Sequence, residues 1–103
     1  SPHIFFESMK ERDELKFQHL AEKIPLIMEI MALKGIDMHF LKKGEDFKTP
    51  EQIIDETLKV FGKRQIIKNS KNVIQILRKD VAIQYRNHIG YIMKMNPVSE
   101  EGT

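Results

Sequence analysis

The side chains best suited to acid–base or metal chemistry are four histidines, His3, His19, His39 and His88, and their spacing supports neither. No two fall at the separations that bring imidazoles onto one metal ion. His19 with Glu22 is an ordinary helical pair, and Asp37 with His39 is the one acid–histidine pair that merits inspection. The dyads Glu45–Asp46 and Asp55–Glu56 read as solvated acids rather than as a matched general acid and base. Cysteine is absent, which excludes disulfides and thiolate metal sites and is compatible with a reducing compartment. The five glycines are scattered, and none builds a phosphate-cradling loop. The expectation is a protein that is not an enzyme, with no catalytic residues, no metal and no cofactor.

Charge is the stronger signal. From Leu58 to Met95 there are nine basic residues and a single acid, Asp80, whereas Ser1 to Thr57 carries twelve acids against eight bases. The overall charge of +2 conceals this segregation, and a segregated field acts on partners rather than on the fold. On a helical wheel at ~100° per residue, Arg64, Lys68, Lys71, Arg78, Lys79 and Arg86 fall within about a third of the circle. Ile66, Val73, Ile74, Leu77, Val81, Tyr91 and Ile92 fall opposite. Those six cations are the candidate surface for a partner protein or for nucleic-acid phosphates, which reward clustered Lys and Arg by counterion release. Asn72, Gln75 and Gln84 lie near them with amides able to read base edges. Ile53 to Ile76 also admits a helix-turn-helix with Gly62 in the turn, a poor match to the usual spacing.

The elements that must position these residues read as helices. Ser8 to Glu11 fits a capping box, preceded by Phe5 and Phe6 as a staple. Met9, Phe17, Leu20, Ala21 and Ile24 follow at helical spacing until Pro25 ends or kinks the helix. A second, short helix from Pro25 to Leu33 is apolar on most sides, which makes it the expected centre of the core, with Gly35 as its stop. Ile36 to Phe47 reads as a loop or one short helical turn, and Lys42 to Asp46 as a turn. Thr49-Pro50-Glu51-Gln52 is the strongest start signal, opening a helix that stops at Gly62. Lys63 to Met95 is too long for one helix in so small a domain, so breaks are expected near Asn69–Asn72 or Lys79–Asp80. Asp80 would cap the last helix, and Asn96-Pro97 would end it.

These readings give an all-α fold, an irregular bundle of four to five helices. Residues 1–97 form a single helical domain and 98–103 a flexible tail. Ser1 reads as a processing scar, so the domain is expected to come from a larger regulatory or assembly protein. No apolar run approaches the ~18 residues of a membrane span, so no membrane partner is expected. Six methionines are many for this length, and methionine suits adaptable grooves, although Met28 and Met31 read more readily as core filler than Met93 and Met95. The leading expectation is therefore an intracellular (cytoplasmic or nuclear) protein–protein interaction module. The alternative is a nucleic-acid-binding domain using the basic face of the C-terminal helices. The opposed charges of the two halves also allow a homodimer.

Overall fold

The computed structural model describes residues 2–10 and 12–97. Its elements are α1 (Pro2–Met9), β1 (Glu14–Lys16), α2 (Phe17–Leu33) and a 3-10 turn (His39–Leu41). The small hairpin β2 (Lys42–Lys43) and β3 (Asp46–Phe47) follows, then α3 (Pro50–Lys63), the hairpin β4 (Ile67–Ser70) and β5 (Val73–Ile76), and α4 (Lys79–Met95). The fold is mixed α/β, which corrects the expectation of an all-α helical bundle. The tail at 98–103 and the Glu11 half of the expected capping box lie outside the described residues.

The correction has a local cause. Ile66, Ile67, Val73, Ile74 and Ile76 are β-branched, and in β5 the half-buried or exposed Val73 and Gln75 alternate with buried Ile74 and Ile76. Over so short a run Val73, Ile74 and Leu77 also fall on one side of a helix, which makes the helical reading possible from sequence. The strands join through Lys71 and Asn72, with φ of 51° and 62°, the backbone of a type I′ two-residue hairpin loop. β1 completes an antiparallel sheet in the order β1-β5-β4, with Leu15 opposite Ile74 and Ile67 opposite Ile76. Cross-strand partners share a face, so Leu15, Ile67, Ile74 and Ile76 enter the core. Glu14, Lys16, Lys68, Ser70 and Gln75 form the open face.

Neither Lys nor Asn matches glycine in the left-handed region. Asn72→Gly is therefore expected to raise the unfolding free energy by about 0.5 kcal/mol, read as a higher urea midpoint at unchanged slope. A lower midpoint would show that the turn is not of this type.

The core is centred on α1 rather than on the Pro25–Leu33 segment. Ile4, Phe5, Phe6 and Met9 are fully buried, with α4, α2 and α3 packed around them. Phe6 lies 5.4 Å from Tyr85 in a stacked geometry and 5.5 Å from Phe61. Ser8, expected to cap a helix, instead sits in the last turn of α1, buried and without a hydrogen-bond partner among the described residues. α2 runs unbroken through Pro25 and buries one side only: Leu20, Ile24, Ile27 and Met31 face inward while Leu26, Ile30 and Leu33 are exposed. It ends as Gly35 dictates. Gly35 takes φ 70°, its amide donates to Ala32 and that of Ile36 to Met31, a Schellman motif.

The Thr49 signal forms the reciprocal box. The Gln52 amide donates to Thr49 Oγ1 at 3.2 Å, and the Thr49 amide to Gln52 Oε1 at 2.8 Å. α3 continues one residue past Gly62, and Gln65 rather than Gly62 adopts the left-handed backbone, at φ 57°. α4 spans Lys79–Met95 and stops before Asn96-Pro97, but Asp80 lies in its first turn instead of capping it.

Candidate functional site

The six cations expected on one helical face are distributed by the hairpin over three elements. Arg64 follows the last residue of α3, Lys68 lies on β4, and Lys71 sits at the hairpin tip. Arg78 occupies the N-cap position of α4, and Lys79 and Arg86 lie in its first turn and its middle. Three of them have partners within the chain. Arg78 donates two hydrogen bonds to Asp80, at 2.7 and 3.0 Å, and these hold the Asp80 carboxyl below the usual carboxylate range. Lys79 pairs with Asp13 at 3.0 Å. Arg86 donates to the carbonyl of Lys10, the residue that ends α1 in the left-handed region at φ 53°. The continuous stripe of the wheel does not form. The poor helix-turn-helix match of Ile53 to Ile76 corresponds to no such motif, because a hairpin occupies the place of a second helix.

Two concave features stand out instead. The first is an apolar groove of about 480 Å³ lined by Met31, Ile36, Phe40, Ile89 and Ile92, with His3 and Asp37 as its polar contributors. Its volume lies within the roughly 300–1,000 Å³ of ligand-accepting pockets. Four elements build it: α1 gives His3, the inner face of α2 gives Met31, the segment after α2 gives Ile36 and Phe40, and α4 gives Ile89 and Ile92. The Lys34 ammonium donates to the Met93 carbonyl at 3.2 Å and ties the end of α2 to the end of α4. The same segments expose Leu33, Phe40, Tyr91 and Met95, at 62, 49, 63 and 62%. Phe40 belongs to the groove lining and Tyr91 follows Gly90 next to Ile92 in the chain, whereas Leu33 lies on the side of α2 away from Met31. A second apolar depression of about 360 Å³ lies further along α2, where Pro25, Met28 and Ala32 meet Met38, Phe47 and Pro50. Three methionines thus line concave apolar surface: Met31 in the groove, and Met28 and Met38 in the depression.

No protein family model, curated protein or solved structure matches this chain. The site must therefore be read from its own chemistry.

Tyr91, which the wheel places with the inward apolar residues, is exposed, whereas Tyr85 packs between Phe6, Phe61 and His3. His88 is exposed, and its Nδ1 lies 2.8 Å from His3 Nε2. One ring must donate and the other accept, so the contact persists only while at least one imidazole is neutral. Burial, and next the neighbouring His88, lower the pKa of His3 below its ordinary 6.5. The Asp37 carboxylate, by contrast, accepts from the backbone amide of His39 at 2.9 Å and holds a turn rather than the ring.

The His3 pair carries a pH prediction. A His3 pKa depressed in the folded state means that the unfolded chain takes up the proton first. The contribution is complete above pH 6.5 and is lost as pH falls through 6.5 toward the folded value. His3→Gln is expected to flatten that part of the curve in urea titrations at pH 8, 6 and 5. Parallel curves for the two proteins would show that His3 contributes nothing to it.

The second concave feature is polar. A cleft of about 630 Å³ between the end of α1 and α4 is lined by Glu7, Lys10, Arg12, Arg86 and Asn87. An adjoining depression of about 280 Å³ shares Lys10, Arg12 and Arg86 and adds Asp13 and Lys79. Lys10 and Arg12 belong to the acidic half of the sequence, so a count of charge by segment passes over them. Only the packing of α1 on α4 brings them to Arg86.

No helix among the described residues is long and apolar enough to cross a membrane.

Proposed function

We propose that this chain is a non-catalytic protein–protein interaction module whose apolar groove receives the apolar side chains of a partner helix or peptide. The observation that carries this reading is the groove between α2 and α4, apolar except for His3 and Asp37, with Phe40 of its lining half exposed and Tyr91 exposed next to Ile92 in the chain. Contiguous apolar surface of this kind marks interaction sites, in contrast to scattered single residues. Helix-in-groove recognition uses such a surface, with methionines lining it. Aromatic residues such as Phe40 and Tyr91 supply large contact area at little conformational cost.

The test is photocrosslinking from a benzophenone side chain placed at Phe40 or Tyr91, with a control at Lys59 on the exposed side of α3. The expected result is one protein captured from both groove positions, not from Lys59, and no longer captured when Ile92→Glu is added. Equal capture at all three positions, or none at the groove, would overturn the reading.

A nucleic-acid reading is favoured by one observation. Lys16 and Lys68 on the open face of the sheet and Lys71 at the hairpin tip are exposed and form no ion pair among the described residues. Against it, α3 exposes Glu51 and Asp55, and like charges repel a phosphate backbone. Its signature is binding to DNA or RNA that falls steeply with salt and weakens several-fold in the Lys68→Glu, Lys71→Glu, Lys79→Glu triple variant.

A further inference from the structure

The cleft between the end of α1 and α4 is separate from the apolar groove, and its chemistry is of another kind. Lys10, Arg12, Lys79 and Arg86 surround it and its adjoining depression, with Glu7 and Asp13 as the acids among the described residues. Asp13 is already satisfied by Lys79. Glu7 makes no ion pair with Lys10, Arg12 or Arg86 among the described residues. Its carboxyl is pushed up by burial even though Lys10 and Arg86 pull the other way. Arg86 is half-buried and donates to the Lys10 carbonyl. A guanidinium has five N–H donors, so several remain for a ligand. Asn87 adds a side-chain amide at the same wall. Lys10 occupies a left-handed position at φ 53° where glycine would be less strained.

We propose that this cleft binds a phosphate group, held by Arg12 and Arg86 with Lys10 and Asn87 as additional donors. Phosphate fits because its tetrahedral oxygens accept several N–H donors at once, and arginine is the residue that offers them in a fixed fork. The phosphate belongs either to a small free ligand or to a nucleic-acid backbone, and the two sources are separable by experiment.

The experiment is a nitrogen–proton NMR titration of the full chain at low salt with inorganic phosphate, pyrophosphate and a thymidine oligonucleotide, each in turn. The expected result is saturable shifts centred on Lys10, Arg12, Arg86 and Asn87. Arg12→Glu should weaken binding by about tenfold or more, Glu7→Gln should strengthen it about threefold, and Lys59→Glu, an equal charge change on α3, should leave it unaltered. Tightest binding of pyrophosphate, with shifts confined to the cleft, assigns a small ligand. Tightest binding of the oligonucleotide, with shifts reaching Lys68 and Lys71, assigns a nucleic-acid backbone. Shifts that grow without saturating, that spread evenly over all lysines and arginines, or that persist in Arg12→Glu while Glu7→Gln has no effect would overturn the proposal.

Discussion

Replacing Phe6 with alanine is expected to lower the unfolding free energy by about 3–5 kcal/mol, a large share of the 5–15 kcal/mol that stabilises domains generally. The side chain is fully buried and stands against Phe5, Phe61 and Tyr85, with ring centroids 5.2, 5.5 and 5.4 Å away. Truncation therefore removes one transfer contribution and three aromatic contacts, and leaves a cavity that rigid neighbours close only in part. Urea unfolding followed by circular dichroism reads the change. The matched control is Leu26→Ala on the exposed side of α2, where Leu26 keeps 59% of its surface in water; its effect is expected to stay within about 0.5 kcal/mol. Equal losses in the two variants would show that α1 is not the centre of the core.

The second large effect concerns binding. Phe40→Ala and Tyr91→Ala are each expected to weaken the partner by roughly 10- to 100-fold, because burying one such side chain contributes about 1.5–3 kcal/mol and 1.4 kcal/mol is a factor of ten. Both side chains are about half exposed or more in the free chain, at 49 and 63%, so their removal costs the fold little. Titration calorimetry with the crosslinked partner measures the loss, and unchanged thermal midpoints separate it from unfolding. Affinity retained in both variants would show that the partner binds elsewhere.

What the sequence made legible was whatever a few consecutive residues decide. The Thr49–Gln52 box, the Gly35 stop and the end of α4 before Asn96-Pro97 each rest on local backbone chemistry, and all three appear in the fold. The sheet was not legible in the same way. β1 is three residues long, and its partner β5 lies some sixty positions away, so Glu14-Leu15-Lys16 carries no local mark of being a strand. Ser8 illustrates tertiary context overriding a local signal, since a residue suited to capping is buried inside α1.

The site followed the same division. The wheel that gathered Arg64, Lys68, Lys71, Arg78, Lys79 and Arg86 assumed one unbroken helix, and the turn at Lys71–Asn72 divides them. Methionine content does not by itself separate groove from core: Met31 is buried in the core, and Met28 and Met38 are half-buried against it. Which apolar residues would remain uncovered was beyond the pattern. Leu26, Ile30 and Leu33 belong to a segment apolar on nearly every side, and only the placement of α1 decides which side of α2 is buried.

Two variants of equal design effort divide apolar from electrostatic recognition most directly. One carries Phe40→Ala with Tyr91→Ala, the other Lys68→Glu, Lys71→Glu and Lys79→Glu, and the affinity of the crosslinked partner is measured for each at low and physiological salt. The groove reading predicts a loss of about a hundredfold or more in the first and a change within about threefold, insensitive to salt, in the second. Binding that survives the first variant and collapses in the second would contradict it.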